Sequence, residues 1–262
     1  MTPKRHFSVL SSNNCELLFD QNLLEPLIVK STGGRFLIDG IQQQATVFEP
    51  VSSGGRGQAW FLELGELSAV LRVYQRGGLM AKFNRQTYLG WAAEKSRSFL
   101  EWRLLQWMLD QGLPVPKPVA ASICHWPFRL SPFYHAHILV QRIPNAKTLD
   151  QILSEQPLQA QQWQDIGLCI ARFHNAGVCH ADLNANNILL DPADIVYLID
   201  FDKSKRITEV AEAGLLSDQA QWKTANLQRL KRSLIKQQAL HAHYHFTEEN
   251  WQVLIAGYTQ NR

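Results

Sequence analysis

Apolar and polar residues alternate through much of the first half of the chain, a pattern typical of strands. It predicts strands at 34–39, 46–48, 59–64, 69–74 and 137–140. Short segments rich in glycine and serine separate several of them, as expected of turns. The first half is therefore predicted to be rich in strands.

The second half is different, because its apolar residues recur at helical spacing. This spacing predicts helices at 149–154 and 161–175, and a single earlier helix at 98–111. Thr148 is an expected N-cap of the 149–154 helix, and Ser96 or Ser98 of the earlier one. Gly112 and Gly177 are expected to end the helices that precede them.

Strands followed by helices predict an α+β fold with two lobes. Pro144 and Asn145 mark the linker. We therefore predict a small antiparallel N-lobe over residues 1–143 and a mainly helical C-lobe over 144–262.

Composition limits the possible partners. The 262 residues carry a formal net charge of +3, which is too small to indicate binding of nucleic acid, and no protein partner is implied.

No apolar run reaches the roughly 20 residues that span a membrane, and the N-terminus has no signal-peptide pattern. The four cysteines lack metal-ligand spacing and are predicted to be free thiols in a reducing cytoplasm.

The strongest chemical signal is a group of carboxylate and amide side chains. Asp182 and Asn187 are five residues apart in a predicted loop, and Asp200 follows an apolar strand. Phosphoryl transfer needs a base near the acceptor hydroxyl and oxygen ligands for Mg²⁺. We predict Asp182 as the base, and Asn187 and Asp200 as metal ligands.

These residues resemble known kinase motifs. His180–Asn187 is similar to the H-x-D-x-x-x-x-N catalytic loop of the protein-kinase superfamily, and Asp200 to the Asp of its D-F-G element. Asp202 stands where glycine is usual, a variant familiar in small-molecule kinases. The resemblance implies ATP as phosphoryl donor, and His180 is expected to hold the loop.

A glycine-rich turn is the candidate phosphate-binding loop. Its glycines allow the backbone to approach phosphate oxygens closely. They are Gly54, Gly55 and Gly57.

The residue that corresponds to the usual kinase lysine is an arginine. Arg72 follows Ala69-Val70-Leu71, where the family has V-A-I-K, and Glu101 on the next helix is predicted to pair with it. Lys82 is the alternative for the lysine role.

Three stretches resemble the 3-deoxy-D-manno-octulosonic acid (Kdo) kinases of Gram-negative bacteria: 71–79, 180–189 with 199–203, and 222–234. The resemblance implies phosphorylation of the 4-hydroxyl of Kdo on a lipid A precursor, at the cytoplasmic face of the inner membrane. Only 62 residues follow Asp200, without an A-P-E motif, so a peptide acceptor is not expected.

Basic residues suit such an anionic glycolipid and an anionic membrane surface. Arg76, Lys82 and Arg85 are the candidate acceptor-binding residues. A second basic cluster lies in a predicted C-terminal helix, where a solvated face is an equal alternative: Arg229, Lys231, Arg232 and Lys236. The aromatic segment 126–134 is either a bilayer contact or a packing loop.

Two other functions fit parts of the sequence. Residues 140–149 would also suit the hinge of an aminoglycoside or choline phosphotransferase. A non-catalytic pseudokinase is supported only by Arg72, and the presence of Asp182, Asn187 and Asp200 opposes it.

Overall fold

The computed structural model describes residues 7–12, 14–23, 45–51, 58–74, 88–89, 93–125, 128, 130–207 and 216–260. The chain divides into two compact units. Unit 1 comprises residues 1–106 and 117–142, and unit 2 comprises residues 107–116 and 143–262. The strand predicted at 34–39 lies outside the described residues.

Unit 1 is built on one antiparallel sheet. Its strands run in the order β1-β2-β7-β8-β5-β4-β3, and β6 also pairs with β8. Their bounds are β1 Phe7–Ser12, β2 Cys15–Asp20, β3 Val47–Pro50, β4 Gln58–Leu64, β5 Leu67–Val73, β6 Tyr88–Leu89, β7 Pro118–His125 and β8 Phe133–Gln141.

The sheet forms its core from alternate residues of its central strands, among them Leu62, Leu71 and Leu139. Helix α1 (Arg97–Asp110) is tied to the sheet by Ser98, whose hydroxyl donates to the Ser122 carbonyl at 3.1 Å. This contact fixes the helix that carries Glu101.

The predicted signals at the ends of α1 are present. The hydroxyl of Ser96 accepts the Phe99 N–H at 3.3 Å, and Gly112 has a φ of +69°. A left-handed residue at this position is a common way to end a helix, and glycine adopts it without a Cβ clash.

Strands β1, β2 and β7 were not predicted from the sequence. β2 and β7 are buried along nearly their whole length, so they lack the alternation that marks a half-exposed strand. Their pairing also contradicts the prediction of free thiols, because Cys15 and Cys124 face each other and form a disulfide. Cys169 and Cys179 are free.

Unit 2 is mainly helical. Its helices are α2 Leu149–Glu155, α3 Ala160–Asn175, α4 Leu216–Leu240 and α5 Glu248–Thr259. Its short strands are β9 Lys147–Thr148, β10 Val178–Cys179, β11 Ile188–Leu190, β12 Val196–Leu198 and β13 Lys205–Arg206. They form two small sheets, β12-β11-β9 and β10-β13.

The predicted ends of these helices are also observed. Thr148 caps α2 through a capping box with Gln151, and Gly177 has a φ of +77° after α3. A strand-rich unit and a helical unit agree with the predicted α+β class.

Helices α3 and α5 approach each other closely at two glycines. A Cβ on Gly167 would lie 2.0 Å from the Leu254 carbonyl oxygen, and one on Gly257 would lie 2.3 Å from that of Gln164. Both neighbours are backbone atoms, which cannot move aside by a rotamer change. The two glycines therefore set the distance between the helices.

We predict that Gly167→Ala destabilises the protein. Overpacking a core costs about 1–3 kcal/mol, which outweighs the roughly 1 kcal/mol that alanine gains in helix propensity. Chemical denaturation should show the loss. Leu168→Ala, at the exposed neighbouring position of α3, should change stability less. A Gly167→Ala protein as stable as the wild type would contradict the close approach.

Candidate active site

The loop between β10 and β11 holds Asp182 through its backbone. The Asp182 carbonyl oxygen accepts from the side-chain amides of Asn184 (2.9 Å) and Asn187 (2.8 Å). Asn184 also caps the short 3-10 helix Ala185–Asn187 by accepting the Asn186 N–H. The backbone at Asp182 is thus fixed, whereas its carboxylate side chain is 59% exposed.

His180 is the buried anchor of this loop. Its Nδ1 accepts the Asp182 N–H at 3.1 Å, so the ring proton is on Nε2, which donates to the Ile199 carbonyl at 2.9 Å. Burial lowers the pKa of His180 below its usual value, which favours the neutral ring over the charged one. These contacts are the loop-holding ones predicted from the sequence.

Asp200 follows the hairpin of β11 and β12. The Ile199 N–H donates to the Asn187 carbonyl at 3.0 Å, which brings the ends of the two strands together next to Asp200. Asp200 has a left-handed φ of +62°. The next residue, Phe201, is buried and stacks on Phe173 with ring centroids 5.8 Å apart.

The donor set at this hairpin fits Mg²⁺. Mg²⁺ prefers oxygen ligands and commonly uses one or two carboxylates together with substrate phosphates. Asp200 offers a carboxylate. The amide of Asn187 donates through Nδ2, so its Oδ1 is not used in that bond. Among the described residues no group of three or more His, Cys, Asp or Glu side chains could hold a metal ion by itself.

In unit 1, Arg72 and Glu101 form the predicted ion pair. Arg72 lies on β5, and its Nη2 donates to Oε2 of Glu101 on α1. The Glu101 side chain is only 4% exposed, whereas that of Arg72 is 21% exposed. A buried carboxylate requires such a partner.

Tyr74 completes this group and was not predicted. Its hydroxyl donates to the same oxygen of Glu101, and the Arg72 guanidinium lies 5.1 Å from the centroid of its ring. Burial, followed by the charge of Glu101, raises the pKa of Tyr74 well above 10. A usable signal was the i, i+2 spacing of Arg72 and Tyr74, which places side chains on one face of an extended chain.

One face of α4 holds both sides of the Asp182 loop. Asn226 is buried and bonds twice to the His180 backbone, accepting its N–H and donating to its carbonyl, each at 3.1 Å. Ser233 accepts the Ala185 N–H at 3.3 Å. Between them, Arg229 Nη1 donates to Asp182 Oδ1 at 2.9 Å.

Sequence reasoning did not assign these roles. It placed Arg229 only in a basic cluster and used Asn226 only as part of a family-like stretch. The signal was their spacing at i, i+3 and i+7, which puts Asn226, Arg229 and Ser233 on one helix face. The basic cluster itself is divided, because Lys231 pairs with Glu248 at 2.8 Å.

Several predicted site residues lie outside the described residues, so their roles stay predictions. These are the three candidate phosphate-loop glycines and the three candidate acceptor-binding cations: Gly54, Gly55, Gly57, Arg76, Lys82 and Arg85.

Comparison with known proteins places the chain in a family. It belongs to the lipopolysaccharide kinase (Kdo/WaaP) family, whose model matches residues 41–258. A 3-deoxy-D-manno-octulosonic acid kinase of Vibrio parahaemolyticus is 38% identical over 92% of this chain and 93% of its own length. A kinase of the same name from Photobacterium damsela is 43% identical over 78% of this chain and 79% of its own length. Another, from Haemophilus influenzae, is 42% identical over 80% of this chain and 84% of its own length.

The family prediction is therefore confirmed, and so is the protein-kinase-like α+β fold. The chain is a phosphotransferase that acts on a hydroxyl group, and the predicted sugar kinase of lipopolysaccharide synthesis is confirmed at this level.

We predict that Asn226→Ala loosens the Asp182 loop. The change leaves the buried N–H and carbonyl of His180 without their partner, at a cost of about 1–3 kcal/mol. Hydrogen exchange at the His180 amide should accelerate and the Tm should fall. Gln228→Ala, exposed on the same helix, is the control. Unchanged exchange at His180 would show that Asn226 does not hold the loop.

Proposed function

We propose that the protein transfers the γ-phosphoryl group of ATP to the 4-hydroxyl of Kdo on a lipid A precursor. The observation that carries this proposal is the Asp182 loop in a chain of the Kdo kinase family. Asn187 and His180 hold the backbone of Asp182, and Arg229 of α4 contacts its exposed carboxylate. Relatives that cover most of the chain are named 3-deoxy-D-manno-octulosonic acid kinases.

Asp182 has the properties of the base in this reaction. The acceptor hydroxyl donates to its carboxylate, and the hydroxyl oxygen attacks the γ-phosphorus. The bond from that phosphorus to the β,γ-bridging oxygen breaks, ADP leaves, and the hydroxyl proton passes to Asp182. The exposed side chain gives the acceptor access, while the fixed backbone restricts the orientation of the carboxylate.

Asn187 and Asp200 would hold Mg²⁺, which when bound neutralises charge on the phosphates. Their common position at the end of the β11–β12 hairpin supports this assignment. The left-handed backbone of Asp200 is a further support, because unusual backbone conformations are frequent at functional sites.

In unit 1, Arg72 would bind the α- and β-phosphates and replace the usual lysine. The pairing with Glu101 and the contact with Tyr74 hold the guanidinium in a defined orientation. Gly54, Gly55 and Gly57, which lie outside the described residues, would bind phosphate through their backbone N–H groups.

Peripheral attachment to the cytoplasmic face of the inner membrane completes the proposal. Among the described residues no helix is long and apolar enough to cross a membrane. Phe128 and Leu130, in the segment between β7 and β8, are 59% and 80% exposed. Apolar side chains of this kind suit a bilayer interface. Arg76, Lys82 and Arg85 would add attraction to anionic lipid at about 1 kcal/mol each.

The direct test is an acceptor panel with radiolabelled ATP and Mg²⁺. A Kdo-bearing lipid A precursor should be phosphorylated, and product analysis should locate the phosphate at the 4-position. Label at another hydroxyl would overturn the position alone. Activity on an aminoglycoside or choline, without activity on the Kdo lipid, would overturn the acceptor.

Asp182→Asn should lower kcat by about 10²–10⁴-fold, the usual contribution of a positioned general base. Binding of ATP, measured by calorimetry, should be nearly unchanged. Asp165→Asn, the same chemical change on α3, should retain activity. A folded Asp182→Asn enzyme with a near-normal kcat would exclude Asp182 as the base.

Arg72→Ala should raise the KM for ATP about 10- to 100-fold, since a hydrogen bond to a charged group contributes about 1.5–3 kcal/mol. Arg72→Lys should recover little, because an ammonium does not reproduce the planar contact with Tyr74 and Glu101. Arg103→Lys on α1 is the matched control. If Arg72→Ala leaves the KM unchanged, Lys82 becomes the candidate cation.

Attachment to the membrane should depend on salt. The protein should co-sediment with phosphatidylserine vesicles at low ionic strength and be released at high ionic strength, because salt screens charge attraction. Neutral phosphatidylcholine vesicles are the control. Equal sedimentation with both kinds of vesicle would argue against an electrostatic contribution.

A further inference from the structure

Arg229 and Asp182 form an ion pair that remains open to solvent. Arg229 Nη1 lies 2.9 Å from Asp182 Oδ1, and the two side chains are 48% and 59% exposed. Exposed ion pairs contribute little to stability, because water competes for both charges. The position of Arg229 therefore calls for an explanation other than folding.

The surrounding contacts place Arg229 beside Asp182. Asn226, about one turn before it on α4, fixes the backbone of His180, and Ser233, one turn after it, fixes Ala185. Helix α4 thus contacts the loop on both sides of Asp182. Because these contacts hold the helix backbone near Arg229, the guanidinium can move only by rotation of the Arg229 side chain.

In the proposed reaction, the acceptor hydroxyl must lie within hydrogen-bond reach of the Asp182 carboxylate, about 2.6–3.2 Å. Arg229 contacts one oxygen of that carboxylate, Oδ1. An acceptor sugar bound to Asp182 must therefore lie next to the guanidinium. A guanidinium has five N–H donors and binds carboxylates through two parallel bonds, and the contact with Oδ1 uses only Nη1.

We propose that Arg229 binds the carboxylate of the acceptor and makes the enzyme specific for an acidic sugar. This inference rests on the proposed function, because an octulosonic acid carries the carboxylate that Arg229 would bind. Arg229 orients the ring while Asp182 receives the proton of the hydroxyl. Acceptor recognition and base catalysis are then coupled through one pair of side chains.

The test compares two acceptors in four proteins. The acceptors are a soluble glycoside of the acidic sugar and its carboxamide, which differ only at the carboxylate. The proteins are the wild type, Arg229→Gln, Arg229→Lys and Arg232→Gln, the last of which removes the same charge from an exposed position of α4. The readout is the ratio of kcat/KM for the acid to that for the amide.

The wild type should favour the acid by at least about tenfold, as expected for a site built around a polar group of its substrate. Arg229→Gln should bring the ratio close to one, mainly through the KM for the acid, with the KM for ATP unchanged. Arg229→Lys should retain part of the preference, and Arg232→Gln all of it. The Tm of each variant verifies folding.

A different pattern would overturn the inference. If Arg229→Gln lowers activity on both acceptors equally and keeps the ratio, Arg229 only positions Asp182. A lost preference in Arg232→Gln as well would mean that general charge attraction, rather than Arg229, selects the acid. If the wild type phosphorylates neither acceptor nor the lipid-linked sugar, the proposed function fails, and this inference fails with it.

Discussion

A buried, neutral imidazole connects the two segments of unit 2 that carry the candidate catalytic carboxylates. His180 accepts the Asp182 N–H on one ring nitrogen and donates to the Ile199 carbonyl from the other. The first bond shapes the loop of the candidate base, and the second reaches Ile199, the residue that precedes Asp200. Both require an unprotonated Nδ1 and a protonated Nε2, and burial favours the neutral ring by lowering its pKa. A charged or displaced His180 would disturb both candidate catalytic carboxylates at once.

The backbone of His180 is held separately from its ring. Buried backbone polar groups need partners, and the side chain of Asn226 bonds to both the N–H and the carbonyl of His180. This makes α4, more than 40 residues along the chain, part of the site. Arg229, which contacts Asp182, lies on the same helix face between Asn226 and Ser233, which bond to His180 and Ala185.

In unit 1, an ion pair rather than a neutral histidine stabilises a buried polar group. Glu101 is buried on α1 and needs a cation, which Arg72 provides from β5, while Tyr74 donates to the same carboxylate. If Arg72 takes the role of the usual kinase lysine, as proposed, this arrangement suits it, because its planar group can contact a carboxylate and an aromatic ring together. The substitution is therefore no argument against an active kinase.

The sequence by itself determined the α+β class, several helix ends, the Asp182–Asn187 loop motif and the family. These depend on local chemistry: helical spacing, Ser96 and Thr148 as caps, Gly112 and Gly177 in left-handed conformations, and side chains a few residues apart. Tertiary structure decided the rest. β2 and β7 are buried on both faces and carry no alternation, and the Cys15–Cys124 disulfide joins positions brought together only by their pairing. The roles of Tyr74, Asn226 and Arg229 depend on contacts between distant segments, and spacing along the chain cannot encode which distant segments meet.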